Sequence, residues 1–274
     1  NPTRPNLFDF RAAQAARARA ARIGGDRFLD QAALEGLTDR LAAVTRRFER
    51  GLWIGERLPP ALTPFAGQWH LADFDQTETL NTGGAPFDLA VSLYSLQAIN
   101  DLTGALVQIR HALRPDGLFL ATLFGGATLR ELRESFAFAE SEIAGGISPR
   151  VSPFADVRDL GGLLQRAGFA LPVADVERLR VRYSNLSSLV QDLRVHGQSN
   201  VLTARRNNFL GKRILAALAS HYSGQHSEMG KLVATFETLY LTGWTPHDSQ
   251  QKPLQPGSAK QRLSDALGAV ERKL

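Results

Sequence analysis

The sequence predicts an α/β fold built on a parallel sheet, and three neighbouring observations predict it. Residues 87–93 form an apolar run opened by Asp88, short enough for a strand buried on both faces. Asn100 and Asp101 can cap a helix that places Leu102, Leu106, Ile109 and Leu113 on one stripe. Arg114-Pro115-Asp116-Gly117 forces a turn, because proline ends the helix and Gly117 supplies permissive backbone, and a second buried strand follows over 118–124. Two buried strands joined by a covering helix make a parallel βαβ crossover.

The other elements follow in chain order. Residues 1–50 read as helices broken at Gly24-Gly25, and Leu34, Leu37, Leu41, Val44 and Phe48 give the second a period near that of an α-helix. Residues 51–55, GLWIG, read as a short strand. Pro59, Pro60 and Pro64 argue against regular structure over 56–67, and 68–74 reads as another short strand. Thr128-Leu129-Arg130-Glu131 fits a capping box. The helix behind it turns Leu129, Leu132, Phe136 and Ile143 inward and ends at Gly145-Gly146. Asp156 caps the next helix, which stops at Gly168. A strand over 178–183, helices over 187–196 and 204–222, and a last strand over 232–244 complete the pattern, ahead of a Gln/Pro/Ser-rich tail over 248–258. The organisation expected is N-terminal helices over 1–50 and one domain over 51–274 carrying a helical insertion at about 187–222.

Composition narrows the classes of function. With 43% hydrophobic and 22% charged residues, 274 residues can bury a sizeable core. No apolar run approaches the ~20 residues that span a bilayer. The absence of Cys excludes disulfides, thiolate metal sites and cysteine nucleophiles and suits the cytoplasm, at or near the inner face of its membrane. The net charge is +5, with arginines gathered at Arg11, Arg17, Arg19 and Arg22 and again at Arg40, Arg46, Arg47 and Arg50. A basic N-terminal helix can meet anionic lipid, but no aromatic residues interleave with these arginines, so nucleic acid is not an expected partner. The six histidines show no metal spacing, and no Ser/His/Asp set can be assembled.

The FDL-apolar strand, the ND-capped helix ending in LRPDG and the apolar strand after it resemble the second half of a class I S-adenosylmethionine (SAM) methyltransferase core. More narrowly, the chain resembles the family of the mitochondrial arginine-hydroxylase assembly factor of respiratory complex I and its alphaproteobacterial relatives. The blocks carrying that resemblance are FDFRAAQAARARAAR, NDLTGALVQIRHALRPDGLFLATLFGGATLRELR, SPRVSPFADVRDLGGLLQRAGFALPVADVERLRVRY and TGWTPHDSQQKPLQPGSAKQRL. It implies a Rossmann-like sheet whose final two strands pair antiparallel at one edge. It also implies a helical cap, inserted before the last strand, that walls an acceptor pocket. SAM is the cofactor implied, and a complex I subunit or an assembly protein is the partner implied.

The region expected to hold SAM departs from that pattern. A methyltransferase of this class ends its first strand in an acidic residue and a Gly-rich loop that lets backbone N–H groups approach the ligand. Here Trp53 stands at the acidic position, Gly55 alone remains of the glycines, and Pro59-Pro60 remove donors just downstream. Too few residues separate Gly55 from Trp69 for the usual helix and ribose-binding strand, so the N-terminal half of the sheet reads as truncated. The cofactor-side candidates left are Gly55, Asp73, Phe74 and Ser92; as a bland alternative, Asp73 is a loop carboxylate. Each lost charge-assisted hydrogen bond costs ~1.5–3 kcal/mol of ligand affinity.

Two readings compete. In the first, the chain keeps the fold, has lost its ordinary SAM site and acts by binding protein; in the second, it is an active SAM methyltransferase on a small-molecule or carrier-protein acceptor. A purely structural subunit is a third possibility. The polar block after the last strand is expected near the open end of the sheet, where it lines a pocket or, through Trp244, His247, Gln250 and Gln251, grips a partner.

Overall fold

The computed structural model describes residues 6–84, 86–206 and 208–250. Helices α1 (Phe10–Ile23) and α2 (Phe28–Ala42) precede strands β1 (Phe48–Ile54), β2 (Ala66–Ala72), β3 (Phe87–Leu93) and β4 (Leu113–Phe124), with α3 (Leu102–Ala112) between the last two. Then come α4 (Arg130–Ala144), α5 (Val157–Arg166), β5 (Ala170–Tyr183), α6 (Leu186–Val195), α7 (Lys212–Gln225), the two-residue β6 (Ser227–Glu228) and β7 (Lys231–Trp244).

The strands form one sheet in the order β2-β1-β3-β4-β7-β5, with β6 hairpinned onto β7. The pairs from β2 to β4 are parallel, and β7 runs antiparallel to both β4 and β5. The expected antiparallel pair is therefore present, with β5 as the edge. Helices cover both faces, as parallel strands require. Leu106 and Ile109 of α3 and Leu160 and Leu164 of α5 pack on Ile54, Phe119 and Leu239. Leu37 and Leu41 of α2 pack on Trp53, Val91 and Tyr240 from the other side.

The βαβ unit forms as its residues predict. Asp101 accepts from the Gly104 amide at 2.9 Å and opens α3. Asp88, almost fully enclosed, accepts from the Glu49 and Arg50 amides at 2.9 and 3.0 Å and meets Arg114 Nε at 2.9 Å. It thus staples β1, β3 and the turn after α3, which is a structural role. The turn itself differs in detail. Asp116, not Gly117, takes the left-handed conformation at φ 60°. Gly117 is needed for closeness, since a Cβ there would lie 2.9 Å from the Arg114 carbonyl.

Several local expectations give way to tertiary contacts. The helical period does not carry through to Phe48: α2 ends at Ala42, and Phe48 pairs with Ala66 in the sheet. Between β1 and β2 the prolines allow a short 3-10 helix, Pro60–Phe65, started by proline at its first position. The capping box does not form. Leu129 stands at the N-cap with φ 54°, while Thr128 and Glu131 turn to β7. Thr128 Oγ1 donates to the Glu237 carbonyl at 3.1 Å and accepts from its amide at 3.0 Å, and Glu131 accepts from the Thr235 amide at 3.0 Å. Asp156 and Gly168 do bound α5 as expected, with Gly168 at φ 86°. β5 begins at Ala170 rather than 178, and α7 begins at Lys212 rather than 204.

Candidate functional site

The parallel strands β1, β2, β3 and β4 all point their carboxyl ends to one edge of the sheet, where ligands bind in open α/β folds. Gly55, Asp73, Phe74 and Ser92 stand at or next to those ends, so the structure brings the cofactor-side candidates into one region. A cavity of about 280 Å³ opens there, just under the ~300–1,000 Å³ of ordinary ligand sites. Its floor is Tyr94, Phe124 and Phe236; α1 contributes Phe10 and Arg17, and α6 contributes Val190, Leu193 and Arg194. Tyr94 holds φ 54° and stacks on Phe124 at 4.2 Å, while its hydroxyl bonds Thr238 Oγ1 at 2.7 Å. Burial pushes the Tyr94 phenol well above its ordinary range, so it stays neutral and acts as an apolar surface.

The cavity is lined from the ends of β2, β3 and β4, and no residue of β1 lines it. Asp73 and Phe74 line it, whereas Gly55 and Ser92 do not. Ser92 is fully enclosed, and among the described residues its hydroxyl has no partner. Gly55 adopts φ 153°, and its amide donates to the Ala72 carbonyl at 2.8 Å, so that donor is already engaged. Beneath it the buried Trp53 fills the space: its Nε1 lies 3.0 Å from where a Cβ on Gly55 would be. The 3-10 helix after β1 opens at a proline, with no α-helix N-terminus to offer amides to an anion.

Asp73 is not free either. Its Oδ2 meets Arg17 Nη1 of α1 at 3.1 Å, and its Oδ1 accepts from the Phe74 amide at 2.9 Å. Burial raises its pKa; Arg17 and the Phe74 amide oppose that shift, and nearby Glu56 adds to it. The Arg17–Asp73 pair stands between the cavity and a shallower polar cleft lined by Glu56, Asp75 and Thr77.

Sequence reasoning missed the cavity's main walls. Arg17 counted only as part of a basic N-terminal helix, and Tyr94, Phe124 and Arg150 were not singled out. Arg150 lies in the SPRVSPFAD block and binds Glu140 Oε1 through Nη2 at 2.7 Å. Glu140 is completely buried and also accepts from the Ser148 amide at 2.6 Å. Although burial alone would raise the Glu140 pKa, Ser148 and Arg150 hold it below the usual carboxylate range. This network shapes the loop that lines the cavity with Val151 and Phe154. Of the two inserted helices, α6 walls the cavity, while α7 supplies no lining residue and packs with α4 into the core that includes the cavity floor of Tyr94, Phe124 and Phe236.

The polar block after the last strand lies elsewhere than expected. Because β7 runs antiparallel to β4, Trp244 pairs with Leu118 at the amino end of β4, while Thr238 pairs with Phe124 beside the cavity. At ~3.4 Å per residue the block begins roughly 20 Å from the cavity, so Trp244, His247 and Gln250 do not line it. The Thr245 amide donates to Gly117 O at 2.8 Å, and Gln250 Nε2 donates to Asp116 Oδ1 and Thr245 O, each at 2.9 Å. Arg46 binds Asp116 Oδ2 at 2.8 Å from the other side. Gln250 is thus a brace on the turn before β4, while His247 and Asp248 stay exposed. Gln251 lies outside the described residues.

Among the described residues, no three His, Asp or Glu side chains gather into a group able to hold a metal ion. No helix among them is long and apolar enough to cross a membrane.

A model of the methyltransferase domain matches residues 7–172. The mitochondrial arginine-hydroxylase NDUFAF5 of Dictyostelium discoideum is 43% identical over 183 residues, which cover 66% of this chain and 42% of the relative. A malonyl-[acyl-carrier protein] O-methyltransferase of Xylella fastidiosa is 36% identical over 173 residues, covering 63% of this chain and 57% of the relative. The crystal structure of the YcgJ protein from Bacillus subtilis overlays with a TM-score of 0.49 at 12% identity, covering 78% of this chain and 99% of that one. The chain spans about half the length of the curated relatives it matches.

Proposed function

The chain belongs to the methyltransferase-domain family, and we propose that it is a member whose cofactor side has closed and which acts by holding a protein partner during assembly of respiratory complex I. The observation that carries the first half is the end of β1. The cavity takes its lining from the ends of β2, β3 and β4 and none from β1, where Trp53 packs under Gly55 and no Gly-rich loop follows. These residues do not fit SAM: the acidic side chain is an indole, the Gly55 amide is spent on Ala72, and Asp73 is paired with Arg17. A single parallel strand, β2, flanks β1, in keeping with a shortened N-terminal half of the sheet.

The second half rests on resemblance to the arginine-hydroxylase family and on the exposed residues 246–249 held at the end of β7. Gln250 fixes the block on Asp116, so His247 and Asp248 are presented at little further cost in ordering. Native pull-down from the source cells tests it: a complex I subunit or assembly protein should be recovered with the full chain. Recovery of no such protein would overturn the partner.

One observation favours a second reading, an active SAM methyltransferase on a small-molecule or carrier-protein acceptor. The aromatic cavity beside Tyr94 and Phe124 has the size and lining of a small acceptor pocket. Methyl transfer from SAM to extracts or to acyl-carrier protein would support that reading against the first.

A further inference from the structure

We propose that the segment joining α6 to α7, with the start of α7, is a peripheral docking surface for an anionic phospholipid bilayer. This goes beyond the cofactor and partner readings and stands independently of both. Residues 193–227 contain Arg194, Arg205, Arg206, Lys212 and Arg213 and no Asp or Glu. Arg205 is spent on Asp9, the N-cap of α1, at 2.9 Å. Arg206, Lys212 and Arg213 are exposed and make no ion pair among the described residues. Lys212 and Arg213 sit at the first turn of α7, where the helix dipole disfavours cations, so helix stability does not explain them.

Apolar side chains stand among these charges. Among the described residues Phe209 is wholly exposed, and Leu215, one turn into α7, is about half exposed. Leu218 and Tyr222 of the same helix are buried, so α7 shows the sheet one apolar side and keeps Leu215 outward. An exposed aromatic residue flanked in sequence by basic ones is the composition that settles at a headgroup boundary: the ring enters the acyl edge and the cations meet lipid phosphates. The first part of the segment, 202–205, is anchored to the approach and start of α1. Thr203 donates to the Leu7 carbonyl at 3.0 Å, Phe8 bridges to Leu202, and Arg205 holds α1.

Co-sedimentation of the full chain with vesicles tests this. One set is pure phosphatidylcholine, and another contains roughly a third phosphatidylglycerol. The chain should pellet with the anionic set, leave it as salt rises, and stay with the supernatant of the neutral set. Lys212→Glu with Arg213→Glu should lower partitioning by about tenfold or more. Phe209→Ser should lower it by about tenfold while leaving the salt dependence in place. Circular dichroism and thermal melting of each variant confirm that the fold persists. Should Phe209→Ser fail to fold, Phe209→Asn takes its place and should likewise lower partitioning by about tenfold. Equal binding to both sets, absence of binding, or folded variants that bind as wild type does would overturn the proposal. Binding to soluble polyglutamate without vesicle association would overturn it in favour of an acidic protein partner.

Discussion

Arg17 of α1 and Asp73 at the end of β2 meet at 3.1 Å across the mouth of the cavity, each about a third or less exposed. The residue read as a cofactor contact is therefore held by the chain's own N-terminal helix. Arg17→Ala should leave the carboxylate half-buried without its cation and destabilise the fold by about 1 kcal/mol at neutral pH. The sign of the pH effect follows from the direction of the shift. Burial raises the Asp73 pKa, so its protonation favours the folded state at low pH, and that contribution is lost as pH rises through the folded value. Removing Arg17 raises the pKa further, so the deficit of the variant should shrink on acidification. Urea denaturation at pH 7 and near pH 4 checks this; a deficit that grows in acid would contradict it.

Trp53→Asp restores the residue type that a methyltransferase would carry at this position. Here it places a carboxylate under Gly55 in a space now filled by indole, packed with Leu62 and Val91. The expected result is a loss of about 3 kcal/mol or more, with no gain in SAM binding. A folded Asp variant that binds SAM would show that the rest of the site is intact.

Glu140 is buried and accepts from Ser148 and Arg150. Its depressed pKa stabilises the fold above the unfolded value, and that contribution is lost as pH falls through the folded value. Glu140→Ala should cost about 3 kcal/mol, because Arg150 and the Ser148 amide lose their partner. It should also loosen the loop carrying Val151 and Phe154. Thermal melting gives the first effect, and hydrogen exchange over 148–154 gives the second.

The tail's part in partner binding is separable from its bracing role. Gln250→Ala removes two hydrogen bonds to Asp116 and Thr245 and should cost about 1 kcal/mol. His247→Ala with Asp248→Ala should leave stability near wild type while lowering recovery of the native partner. Equal recovery would confine the block to the turn before β4.

The βαβ unit was legible because its signals are local and agree: Asp101 caps α3, and Leu106 and Ile109 face the sheet. Where local and tertiary partners competed, the tertiary ones won. Thr128 and Glu131 have the spacing of a capping box, but β7 lies against them and offers backbone that must be satisfied. The tail was misplaced for a geometric reason. An antiparallel last strand carries its end back to the amino edge of the parallel strands, far from the site. The proposed closure of the cofactor side starts from Trp53, Pro59 and Pro60, which the sequence displays directly. The Arg17–Asp73 pair was not legible, because 56 residues separate its members and no spacing rule links them.

The central claim is that the carboxyl end of β1 no longer holds SAM, and isothermal titration calorimetry of the full chain with SAM and with S-adenosylhomocysteine tests it most directly. Loss of half a dozen kcal/mol of ligand contacts takes a micromolar ligand beyond the millimolar range, so neither titration should give a saturable heat, and neither ligand should raise the melting temperature. A dissociation constant near micromolar for either ligand, with a matching thermal shift, would contradict the account.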